Sequence, residues 1–244
     1  LKKEFGVLML SAILLSGCGA ARPITDTVQV DDSPREQATI QPKHGTGLKK
    51  KEPDHVLMKL YAKDSGAALY VKGKEKDFAW NFPGDTGTAP QMFYTDLTGD
   101  GKEEAAVIIH IGKGTGLDNY EIHVVNAGDL SEINVQTYED IVASRIESQV
   151  SKNGDGTLAI KVQVQEKELN FTYGFDPAPH YNQEELAFGG ITIYSVEDQT
   201  IRLRLPGSVG VSPTYVCDFD ITYKYDSINS RFIADQIEVT PVEG

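Results

Sequence analysis

Basic residues are in the minority: 23 lysines and arginines stand against 36 aspartates and glutamates, a formal net charge of −13. Such a chain is not expected to bind nucleic acid, and charge alone would not hold it on an anionic bilayer; membrane attachment would have to come from acyl chains. Long apolar runs are missing as well. The one candidate, residues 5–15, is too short to span a bilayer as a helix. Catalytic signatures are equally scarce. No Gly-x-Ser-x-Gly is present, and Ser208 in Pro206-Gly207-Ser208-Val209-Gly210 lacks the flanking glycine at the right spacing. Cysteine is limited to Cys18 and Cys217.

What is present begins at the N-terminus. Lys2 and Lys3 precede the apolar run, which leads into Leu15-Ser16-Gly17-Cys18, the order of a secretory signal. This stretch resembles the lipobox of bacterial lipoproteins. The resemblance implies that residues 1–17 are a signal peptide, that Cys18 is acylated, and that the chain sits on the extracytoplasmic face of the cell membrane. Cys217 would then be the one thiol left, which excludes an intramolecular disulfide. It lies in the alternating run Tyr215, Cys217, Phe219, Ile221, Tyr223, the pattern of a buried, inert cysteine on an apolar strand face.

Residues 18–54 are poor in aromatics and rich in Pro, Asp, Gln, Thr and Lys, as expected of a lipidated cysteine followed by a disordered tether. From residue 55 to 244, short aromatic and β-branched runs predict a single, mainly β domain. Strands are expected at 56–62, 67–71, 77–82, 92–95, 105–111, 120–126, 158–164, 169–173, 191–196, 200–205, 214–225 and 231–239. They suggest antiparallel meander and hairpin sheets, sandwich-like or partial propeller-like. One short helix is expected near 138–149, introduced by the capping pair Thr137 and Asp140 and carrying Ile141, Val142, Ile146 and Val150 on one stripe. Two hairpins, one through Glu75-Lys76-Asp77 and one through Glu166-Lys167-Glu168, echo one another; duplication and chance explain the echo equally well.

The most informative stretch is Asp96-Leu97-Thr98-Gly99-Asp100-Gly101-Lys102-Glu103-Glu104. Calcium takes six to eight oxygens at about 2.3–2.6 Å, and alternate residues of a tight loop can aim side chains at one centre. Asp96, Thr98, Asp100 and Glu104 stand at such positions, with the Lys102 carbonyl as a further donor and Gly101 at the sharp turn. An EF-hand would need a glutamate at the twelfth position, which is Val107, and flanking helices. Between two strands, the loop instead resembles the calcium loop of the FG-GAP and VCBS repeat families. That resemblance implies a structural calcium ion, with Thr98 and Glu104 departing from the usual ligand types. Only one copy is convincing; Asn153-Gly154-Asp155-Gly156 lacks the first and last acids and is read as a turn.

Other constellations have plain explanations. If Ile111 faces Tyr120, then His110, Glu121 and His123 share a sheet face, most simply a solvated patch. Gly112-Lys113-Gly114-Thr115-Gly116 feeds a strand rather than a helix, so a glycine-rich hairpin is expected instead of a phosphate cradle. The long loop 174–190 carries Asp176, His180, Glu184 and Glu185 and has the length of a binding element or flap. The function these readings support is that of a lipid-anchored surface module, held to the membrane by its N-terminal lipid and binding an envelope protein or polymer without catalysis. An extracytoplasmic hydrolase and an envelope assembly factor are the alternatives.

Overall fold

A computed structural model describes residues 58–83, 86–174 and 182–243. All of them belong to one compact unit, Gln37–Gly244. The leader, Cys18, the tether, Asp176 and His180 lie outside the described residues. The described part is mainly β, with antiparallel sheets and, among those residues, a single short helix.

Strands β1 (Met58–Ala62), β2 (Ala67–Val71) and β3 (Lys74–Phe78) form an antiparallel meander. Its second turn falls at Lys72-Gly73, whose φ values of 48° and 85° are those of a tight hairpin. The expected strand at 77–82 therefore begins earlier. The charged residues Lys74 to Asp77, which look like a turn in the sequence, are exposed positions on an edge strand, where charge deters pairing with another chain.

The main sheet contains β4 (Gln91–Thr95), β5 (Glu104–Gly114), β6 (Leu117–Asn126), β7 (Glu132–Val135), β11 (Ile191–Glu197), β12 (Thr200–Val209), β13 (Thr214–Asp226) and β14 (Arg231–Pro241). The spatial order is β11-β12-β13-β14-β7-β6-β5-β4, and β11 also pairs with β6. That extra pairing closes six strands, from β6 through β11 to β14 and β7, into a ring. β12 runs past Pro206, where a loop is expected from sequence. Proline is tolerated because the last β11 pair is Ile193 with Arg204, so Pro206 lies where β12 no longer has that neighbour.

The helix α1 (Tyr138–Arg145) starts as expected, with Thr137 Oγ1 accepting the Asp140 N–H at 3.3 Å and Glu139 and Asp140 in the first turn. It ends four residues before the expected 149, because residues from Ile146 on belong to a strand. Ile146 and Val150 are buried four positions apart, a spacing that fits one helix face and one strand face alike. In the fold they alternate on β8 (Ile146–Lys152) and pair with Val164 and Ile160 of β9 (Leu158–Val164). β10 (Lys167–Tyr173) completes this second three-stranded meander, after a turn at Gln165-Glu166.

Two apolar cores result. The larger gathers one face of the main sheet, including Leu203, Phe219, Ile221 and Phe232, against Ile160 and Val162 of β9 and Ile141 of α1. The smaller joins Met58, Leu69, Phe78 and Trp80 to the opposite face of β5, at Val107 and Ile109. β5 is thus covered on both faces, which accounts for its nearly unbroken apolar sequence.

Candidate functional site

The loop Asp96 to Glu103 links the antiparallel pair β4 and β5, with Thr95 opposite Glu104. Gly99 and Gly101 take positive φ of 77° and 83°, which folds the chain back on Asp96. The Asp96 carboxylate accepts the N–H groups of Gly99 at 2.7 Å and Gly101 at 2.9 Å. Glu104 is not a loop residue but the first of β5. It is 1% exposed, and Oε2 accepts the N–H groups of Leu97 at 2.8 Å and Thr98 at 3.2 Å. Burial pushes its carboxyl above the usual range, partly offset by those two N–H groups. Asp100 turns outward to Lys102, whose N–H and ammonium hold its carboxyl below the usual range.

Thr98 Oγ1 is buried without a hydrogen-bond partner. Each Asp96 oxygen accepts one N–H and keeps a second lone pair, whereas Glu104 Oε2 is filled by its two N–H donors and only Oε1 is left to offer a cation. Among the described residues, however, no three His, Cys, Asp or Glu side chains converge at metal-binding distance. The donor types suit a hard cation; seating one would draw Asp100 away from Lys102.

The two histidines do not share a face. His110 pairs with Tyr120 and His123 with Val107, one position out of the expected register, because an irregularity between His110 and Gly112 accommodates Ile111 as an extra residue. His110 is buried on the main-core side, with Nε2 3.0 Å from Asp118 Oδ1 and its ring against Tyr120. His123 lies on the other face, stacked on Trp80 at 4.4 Å between ring centroids. Its Nδ1 is 3.3 Å from Glu132 Oε1, which also accepts the Trp80 Nε1–H at 2.8 Å. Its Nε2 is 3.6 Å from Glu121 Oε2, beyond hydrogen-bonding reach. The glycine-rich stretch is a strand hairpin, as expected, turning at Thr115-Gly116. Ser208 donates to the Ala187 carbonyl, and Cys217 is fully buried.

A concavity lies at a fork in the ring. The outer edge of β6 pairs with β11 at Asp118 and Asn119, and with β7 at Val124 and Val125. Between them, residues 120–123 have no strand on that side. The N–H groups of Asp118, Tyr120 and Asn126 all point outward there, to Gly190, Thr192 and Ser131, so by alternation the N–H and C=O of Ile122 face the gap.

A cleft of about 690 Å³ opens at this gap. Tyr120, Tyr138 and Tyr194 line it, with Glu121, Glu132 and Glu139 among its charged groups and, among the described residues, no lysine or arginine. Burial pushes the Tyr194 phenol up to about 12, a hydrogen bond with Tyr223 works against this, and the Glu139 and Glu121 carboxylates add to it. Gly189, at φ +89°, closes against Tyr138: a Cβ there would sit 2.5 Å from the phenol oxygen.

Sequence marks pieces of this site but not the site. It groups Glu121 and His123 on one strand face, gives loop 174–190, which contains Gly189, the length of a binding element or flap, and marks Thr137 as a cap. No spacing along the chain joins these pieces to β7 and β11. Compared with protein-family models, curated proteins and solved structures, the chain matches none.

Proposed function

We propose that this chain is a lipid-anchored, extracytoplasmic binding module: tethered through Cys18, steadied by calcium at Asp96, Thr98, Asp100, the Lys102 carbonyl and Glu104, and recognising an envelope protein or polymer in the cleft beside β6. The order Lys2, Lys3, apolar run, Leu-Ser-Gly-Cys supports the anchor. No helix of the described residues is long and apolar enough to cross a membrane.

The observation that carries the binding reading is the lining of the cleft. It is open and aromatic, and its aliphatic hydroxyls are already committed: Thr137 caps α1, and Thr192 Oγ1 bridges the N–H and C=O of Tyr120. Aromatic walls with a few placed polar groups are the usual make-up of a ligand site.

Labelled fatty acid should enter the wild-type chain and not Cys18→Ser. The unlipidated Cys18→Ser chain should also co-sediment with isolated cell envelopes through the cleft, and lose that association when Tyr138→Ala is added. Equal labelling of both chains defeats the anchor, and unchanged sedimentation of Tyr138→Ala defeats the cleft. Hydrolysis is the second reading, favoured by one observation: His123 stands between Glu121 and Glu132 at the rim. Turnover of an envelope polymer that stops in His123→Ala would establish it.

A further inference from the structure

We infer that the cleft beside β6 takes an organic ammonium group, held by the faces of Tyr138 and Tyr194 and by the carboxylates of Glu121 and Glu139. The inference rests on reading the cleft as the ligand site and specifies the chemistry it selects.

The charges are one-sided. Three glutamates from three elements, β6, β7 and α1, line a single cleft, without a balancing lysine or arginine among the described residues. The one basic side chain, His123, is already set between two of them and stacked on Trp80. The positive end of the α1 dipole also meets the cleft, but Glu139 and Asp140 in its first turn offset it. An anion placed here would meet only repulsion from the carboxylates.

A ligand with a positive head and an apolar stem meets complementary groups throughout. Tyrosine faces attract ammonium, and the attraction grows as water is excluded. Tyr194 is only 7% exposed, so the inner end of the cleft is partly desolvated. The outward C=O of Ile122 offers an acceptor to an N–H of the ligand. Asn119 and Asn134 add neutral polar groups around it.

The test uses the full chain and three probes of known structure: n-butylammonium, its neutral near-isostere n-butanol, and a neutral N-acetylglucosamine trimer. Tyrosine ring signals are followed by NMR, with Tyr138 and Tyr194 assigned by single replacement with phenylalanine. n-Butylammonium should shift both rings saturably and bind about tenfold tighter than n-butanol. Glu121→Gln with Glu139→Gln should cost that preference without lowering Tm, since both side chains are solvent-accessible. Equal binding of n-butanol, or tighter binding of the sugar at the same rings, overturns the ammonium inference and leaves the cleft as the ligand site. If none of the probes moves the two rings up to high millimolar concentration, the cleft assignment falls as well.

Discussion

At the scale of single residues, burial controls chemistry that sequence position alone leaves open. Cys217 sits opposite Gly207 on β12, and a Cβ at Gly207 would come within 3.2 Å of its sulfur. Burial pushes the thiol from 9.0 up to about 12, and the Tyr194 phenol from 10.0 up to about 12, with Tyr223 shifted in the same direction. An acid whose pKa is raised by folding keeps its proton after the unfolded chain has released it. The associated stability is therefore complete below about pH 9 and is lost as pH climbs toward 12. The urea midpoint should fall across that interval, and fall less steeply in Cys217→Ala. With Cys18→Ser leaving Cys217 as the one thiol, iodoacetamide at pH 8 should label it only after unfolding. Labelling of the native chain at the rate of a free thiol would contradict the burial.

At the scale of elements, the glycine-marked turn was legible, whereas charge located one turn correctly and misplaced others. Asp198-Gln199 and Asn153 to Gly156 turn where expected, whereas Glu75 to Asp77 and Lys167-Glu168 lie in strands. Charge reports exposure, and an edge strand is as exposed as a turn. The helix start was legible because capping is local; its end was not, because Ile146 and Val150 satisfy two periodicities. The loop Asp96 to Glu103 was legible as an element, being contiguous, although the burial of Glu104 was not. For this element we expect a gain of about 1–2 kcal/mol in several millimolar calcium, as for the weaker extracellular modules. Asp96→Ala with Asp100→Ala should abolish the gain, beyond any loss of basal stability from freeing the Gly99 and Gly101 N–H groups. A calcium-insensitive melting temperature in the wild type would remove the ion from the loop.

At the scale of the whole domain, the ring is closed by short pairings. β6 meets β11 through two residue pairs, β6 meets β7 through two, and β7 meets β14 through two. The β6–β11 and β7–β14 contacts were not legible in the sequence, since they join residues far apart along the chain, whereas β6–β7 is a local hairpin whose short second strand was not expected. Thr192 reinforces one of them: it is 3% exposed, and its Oγ1 takes the Tyr120 N–H at 3.2 Å. Thr192→Val keeps the shape and strands that buried donor, so it should lower stability by about 1–3 kcal/mol with an unchanged denaturant m-value. A midpoint equal to that of the wild type would show that the closure does not depend on this hydroxyl.

The same closure orders events in time. Tyr120 and Thr192 are 72 positions apart, whereas β5 with β6, and β8 with β9, join near neighbours along the chain. Contacts across long loops form after local ones, because the entropy of closing the loop opposes them until other packing is in place. The β6–β11 junction is therefore expected to form after the local hairpins. Substitutions there are expected to speed unfolding and leave the folding rate almost unchanged, which stopped-flow measurement of both rates would check.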